Sequence, residues 1–122
     1  MKTPRNILVV DDDVRVLDSL RDFLEHDGFV CFSARCPSEA LEIATAQRIE
    51  ASILDQFLGP RTGLETLIEL RRIHAELAAI LMSGNLTPAI VAQANQLGRV
   101  TVLDKPLELA HLRVAISRLS IC

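Results

Sequence analysis

The stretch "ILVVDDDVRVL", Ile7–Leu17, decides how the rest of the chain is read. Ile7–Val10 is a short apolar run rich in β-branched residues, which predicts a buried strand. Three aspartates, Asp11, Asp12 and Asp13, follow at once. Beyond them Leu17, Leu20 and Leu24 share one helical face with Phe23 beside it, which predicts a helix over Val14–Asp27. Gly28 stops that helix. Adjacent carboxylates repel, so three of them at the end of a greasy strand call for a physical reason.

The same unit recurs along the chain. Strands are predicted at Phe29–Ala34, Ala51–Leu54, Ala79–Met82 and Val100–Leu103. Helices are predicted from Pro37 and Ser38 to about Gln47, and over Leu64–His74, Pro88–Leu97 and Leu109–Leu119. The second helix carries Ala40, Leu41 and Ala44. The third stacks Leu64, Leu67, Ile68 and Leu70 or Arg71, and the last turns Leu109, Leu112, Ile116 and Leu119 inward. "QFLGPRTG" between the third strand and third helix is a loop. Five strands alternating with five helices imply right-handed crossovers and a parallel sheet covered on both faces. At 122 residues the chain suits one open sheet, because an eight-fold barrel needs about twice the length. A single domain over 1–122 is expected, with its core at about 6–119.

Composition agrees. Half the residues (49%) are apolar but only 3% are aromatic, so the core should be Leu, Ile, Val and Ala. Net charge is -3 with no basic run, which argues against a nucleic-acid surface on this chain. Cys31, Cys36 and Cys122 fit neither a disulfide framework nor a zinc site; Cys31 reads as a small core residue and Cys122 as a frayed end. His26, His74 and His111 lack ligand spacing and read as surface or cap residues. No apolar run reaches the ~20 residues of a membrane span, and "MKTPRN" lacks the apolar stretch of a signal peptide. A cytoplasmic protein is expected.

In an open α/β sheet a site forms beyond the carboxyl ends of the strands. Asp11, Asp12 and Asp13 follow the first strand, Asp55 the third, Ser83 the fourth and Lys105 the fifth. Parallel strands would bring these residues to one edge. A divalent cation relieves clustered carboxylates, and oxygen ligands suit Mg2+, which keeps waters for phosphate oxygens. A metal, a carboxylate and a lysine can gather around a phosphoryl group, where positioning and charge neutralisation dominate. Aspartate can itself be the nucleophile. Pro106 biases Lys105 away from helical geometry, and a Lys-Pro bond can be cis.

Taken together, "ILVVDDD", "LDQFLGPRTGLE", "LMSG" and "LDKPLE", in that order, resemble the receiver domain of bacterial two-component response regulators (the CheY-like family), from about Asn6 to Leu119. The resemblance implies a flavodoxin-like strand order 2-1-3-4-5. It implies Asp55 as phosphoacceptor, Asp12 as a direct Mg2+ ligand and Asp11 as a ligand mainly through water. Asp55 itself and the Phe57 backbone carbonyl would complete the metal set. Ser83 would hydrogen-bond the phosphoryl oxygen and Lys105 would pair with it. The donor would be a phosphohistidine on a sensor histidine kinase or a histidine phosphotransfer protein. Asp13 is expected instead at the start of the first helix, as a cap.

Three departures from the family pattern stand out. Gly59, followed by Pro60, occupies the usual proline position four residues after the phosphoacceptor. Thr62 replaces a frequent Asp before Gly63. Val102 stands where an aromatic commonly rotates inward on phosphorylation, and Thr101 replaces a frequent Asp. Without a ring at Val102, any change on phosphorylation is expected to travel through the loop after Ser83. Leu86 to Gly98 holds no charged residue, so the Pro88–Leu97 helix face is a candidate for homodimer or partner contacts. Two other functions compete with phosphoacceptance. One is a non-phosphorylated binding module on the same fold, mildly favoured by Val102. The other is a metal-dependent phosphohydrolase, disfavoured because Phe57 lies where a second acid–base carboxylate would be needed.

Overall fold

The computed structural model describes residues 5–119; Cys122 lies outside them. Five strands alternate with five helices: β1 (Asn6–Val10), α1 (Val14–His26), β2 (Val30–Ala34), α2 (Pro37–Ala46), β3 (Ala51–Asp55), α3 (Gly63–Ile73), β4 (Ala78–Ser83), α4 (Pro88–Leu97), β5 (Val100–Asp104) and α5 (Leu109–Arg118). All four strand pairings are parallel, and the order is β2-β1-β3-β4-β5. This is the doubly wound, flavodoxin-like order expected from the resemblance.

Alternation along the central strands builds two cores. Ile7, Val9, Ile53, Ile80 and Met82 face α1 and α5, where they meet Leu17, Leu20, Leu24, Leu112 and Ile116. Leu8, Val10, Leu54 and Leu81 face the other way, against Ala40, Ala44, Leu64, Leu67, Leu70 and Ala94 of α2, α3 and α4. Burial on both faces explains why β1, β3 and β4 read as nearly continuous apolar runs rather than alternating ones; buried Ser52 in β3 donates its hydroxyl to the Leu8 carbonyl at 2.8 Å.

A few expectations shift. Phe29 lies before β2 and its amide N–H closes the end of α1 on the Leu24 carbonyl. Leu109, the first residue of α5, is half exposed, as are Ile68 and Val114. Cys31 is only partly buried, because β2 is an edge strand.

Registers fix what lies at the carboxyl edge. Val10 pairs with Leu54, Asp55 with Met82 and Ser83 with Asp104. The ends of β1, β3, β4 and β5 are therefore staggered by no more than two residues and lie along one edge.

Candidate functional site

Asp11 and Asp55, from neighbouring strands, are held in the same way. Each turns one carboxylate oxygen back on its own chain: the Asp13 N–H donates to Asp11 Oδ1 at 2.9 Å, and the Phe57 N–H to Asp55 Oδ1 at 3.3 Å. Such an aspartate bond two residues on is a local turn the side chain makes readily. The second oxygen of each is left to face Lys105, whose Nζ lies 3.3 Å from Asp11 Oδ2 and 3.2 Å from Asp55 Oδ2. Lys105 reaches them from the end of β5. Its own N–H donates to the Ser83 carbonyl at 2.9 Å, and the Lys105–Pro106 bond is cis.

Asp12 completes the group. Asp11, Asp12 and Asp55 each offer an oxygen, and these oxygens lie within 4.8 Å of one another. Asp11 and Asp55 are buried, whereas Asp12 is exposed. By formal charge, three carboxylates against one ammonium leave two negative charges, which one divalent cation would offset. Burial pushes the Asp11 carboxyl above its ordinary range; the Asp13 amide and Lys105 oppose that rise and the charge of Asp55 adds to it. Burial alone would depress Lys105, but the two carboxylates outweigh it and hold the ammonium firmly charged. Hard oxygen donors, a partly compensated negative charge and one open, exposed side fit Mg2+.

Ser83 is fully buried at the end of β4, and its hydroxyl oxygen accepts from the Asn85 N–H at 3.2 Å. Phe57, by contrast, leaves its side chain 56% exposed beside Asp55. Asp13 does not join the cluster. It caps α1, accepting from the Arg15 N–H at 3.0 Å.

The loop from Gln56 to Thr62 is itself tied down at both ends. Phe57 and Thr62 pair across it. Thr62 caps α3: its side chain accepts from Glu65 N at 3.1 Å and the Glu65 side chain accepts from Thr62 N at 2.8 Å. The S/T-x-x-E signature of this capping box was legible in "TGLE". Gly63 packs directly on β3. A Cβ there would collide with the Asp55 main-chain oxygen and come within 2.8 Å of Leu81 Cδ1. Gly59, ahead of Pro60, takes a φ of +92°, so the shifted proline is accommodated by a left-handed residue one position earlier. Gln56 is buried as well; no sequence signal distinguishes it from a loop amide.

Beside Lys105 an open cleft of about 690 Å³ runs between α1 and the start of α5, lined by Arg15, Val16, Leu20, Pro106, Leu107 and Leu109 among others.

A five-stranded 2-1-3-4-5 sheet carrying acids and a lysine at its carboxyl edge is the architecture of a CheY-like receiver. The family model of the response regulator receiver domain matches residues 7–117, and the chain belongs to that family. It is 26% identical over 112 residues to sporulation initiation phosphotransferase F of Bacillus subtilis, covering 92% of this chain and 90% of that one. It covers only 47% and 50% of two other curated relatives, both named as response regulators. Among solved structures, a response regulator receiver protein from Pseudomonas putida matches with a TM-score of 0.87 at 27% identity, covering 98% of this chain and 100% of that one. A response regulator protein from Burkholderia pseudomallei, solved with a phosphorylated aspartic acid, calcium ion and citrate, matches with a TM-score of 0.84 at 28% identity over 92% of this chain and 66% of that one. Among the described residues no helix is long and apolar enough to cross a membrane.

Proposed function

We propose that this receiver domain is a phosphoacceptor in a two-component phosphorelay, taking a phosphoryl group from a phosphohistidine donor onto Asp55 with Mg2+. The observation that carries the reading is the convergence of Asp11, Asp12, Asp55 and Lys105 from three strand ends. The phosphorylated aspartic acid and calcium ion of the Burkholderia pseudomallei relative lend it support.

Asp11, Asp12, Asp55 and the Phe57 main-chain carbonyl would hold the ion. Bound there, Mg2+ supplies charge neutralisation for the incoming phosphoryl oxygens. A carboxylate oxygen of Asp55 attacks phosphorus, an oxygen–phosphorus bond forms and the donor's nitrogen–phosphorus bond breaks. The electron pair leaves with the donor imidazole. Lys105, already charged and placed beside Asp55, pairs with a phosphoryl oxygen in place of a carboxylate. Ser83 turns its hydroxyl hydrogen to another. In hydrolysis, water attacks phosphorus, the Asp55 carboxylate departs and inorganic phosphate is released. Phe57 offers no carboxylate to assist that water, so the domain acts as a signalling module rather than a phosphohydrolase.

The apolar-lined cleft beside Lys105 gives a sensor kinase or phosphotransfer helix a place to approach. The α4 face, with Val91 exposed and no charged side chain, is the surface for a homodimer or downstream partner. One domain working in the cytoplasm completes the reading.

The test is labelling by a small acyl phosphate such as acetyl phosphate. Labelling should require Mg2+, disappear with a chelator and disappear in Asp55→Asn. A folded protein that binds no Mg2+ and takes no label would instead be a binding module on the receiver fold.

A further inference from the structure

We infer that Gln56 is a positioning residue for the metal and phosphoacceptor site, setting the peptide plane that joins it to Phe57. The inference rests on the phosphoacceptor reading above and deepens it.

Gln56 is 4% exposed, and each of its backbone groups has its own partner. Its N–H donates to the Met82 carbonyl at 2.9 Å, which continues the β3–β4 ladder one step past Asp55. Its carbonyl accepts from the Gly63 N–H at 3.0 Å. Its side-chain Oε1 accepts from the Leu64 N–H at 3.2 Å. A helix begins with N–H groups that have no partner within the helix. In α3, Gln56 takes the first two of them and the Thr62 hydroxyl takes the third, from Glu65; the Thr66 N–H then makes the first regular helical bond, to the Thr62 carbonyl. Two residues thus tie the whole first turn of α3 to the loop that follows Asp55.

The consequence for the site follows from amide planarity. In a trans peptide the C=O and the next N–H point in opposite directions. Gly63 holds the Gln56 carbonyl on one side, so the Phe57 N–H is aimed the other way, at Asp55 Oδ1. The same peptide leads into Phe57, whose carbonyl is the main-chain metal ligand of the proposed site. The plane cannot rotate without breaking the Gly63 bond, and the Gln56 side chain keeps that N–H in place by holding the next residue, Leu64. A buried amide with this many partners is costly to leave half satisfied. Groups that orient metal ligands commonly change metal affinity by about 10–100-fold when altered.

The experiment is a Mg2+ titration of the full chain, followed by amide spectra, for the unaltered protein, Gln56→Met and Thr62→Val. Met keeps the length of Gln but offers no acceptor to Leu64. Thr62→Val removes the hydroxyl cap from the same helix terminus but leaves the two hydrogen bonds of the 56–57 peptide, to Gly63 and Asp55, in place. Gln56→Met should bind Mg2+ about tenfold more weakly, with the Phe57 amide signal moved. Thr62→Val should bind within about twofold of the unaltered protein, although it too loses a cap. Equal weakening in both variants, or unaltered binding by Gln56→Met, overturns the inference while leaving the phosphoacceptor reading intact. No saturable binding by the unaltered chain overturns both. Should Gln56→Met fail to fold, amide exchange in the unaltered protein decides. Mg2+ should slow Phe57, Gly63 and Leu64 together, and slowing confined to Phe57 contradicts the clamp.

Discussion

Lys105 is the residue on which the local electrostatics turn, because it is the cation shared by both buried aspartates. Lys105→Met removes a charge-assisted contact of about 1.5–3 kcal/mol to a phosphoryl oxygen, and should slow labelling by a small phosphodonor at least tenfold. Labelling kinetics at saturating Mg2+ check this, and an unchanged rate would remove Lys105 from the chemistry. Gly63 is a steric counterpart. Gly63→Ala places a methyl against the Asp55 carbonyl and should cost about 3 kcal/mol, read as a lower urea midpoint with an unchanged slope. The convergence of Asp11, Asp12, Asp55 and Lys105 was legible in the sequence because each lies at or just past a strand end, and parallel strands bring their ends to one edge. Gln56 and Gly63 were not legible as parts of the site. Their work depends on the path of the loop, which puts residues seven and eight positions apart in contact.

At the scale of elements, α3 anchors both neighbouring helices from its last turn. Arg71 donates to the carbonyls of Leu77, Leu97 and Gly98 at 3.0, 2.9 and 2.8 Å, which ties the end of α4 to the start of β4. Burial lowers the Arg71 pKa, with the charge of Arg99 adding to that effect; the carbonyls replace the lost water. His74 Nε2 lies 2.8 Å from the Ala44 carbonyl at the end of α2. The periodicity of "LETLIELRR" gave the helix, but not that its last turn would cap two others. Arg71→Met should destabilise the fold by roughly 2 kcal/mol, measured by urea unfolding. Beyond that anchor α4 is lightly held: Ala94 is its only buried residue, and Gly84 and Asn85 ahead of it are exposed. Val102, partly buried against the α4 side of the sheet, has no ring to swing. Amide spectra with and without a phosphoryl mimic should therefore shift most in residues 84–87. Shifts centred on Val102 would refute this route.

For the molecule as a whole, fold and site are in tension, since three carboxylates gather where, among the described residues, Lys105 alone is ion-paired with them. Mg2+ that binds only the folded state stabilises it by about 2.7 kcal/mol at a concentration a hundred times Kd. For a domain of this size that is a rise in Tm on the order of 10 °C, reversed by a chelator. Calorimetry with and without Mg2+ checks it, and an unchanged Tm would mean that the folded state has no preferential affinity for the ion. The architecture itself was readable because alternating apolar runs and amphipathic segments admit few topologies. The strand order came from the family motifs rather than from periodicity, which is blind to which strands are neighbours. The central claim is that one particular carboxylate becomes the acyl phosphate. Borohydride reduces an aspartyl phosphate to homoserine, which peptide mass spectrometry can place in the sequence. After reaction with acetyl phosphate, homoserine is predicted at position 55 alone and only with Mg2+ present; its appearance at another aspartate, or its absence altogether, would contradict the account.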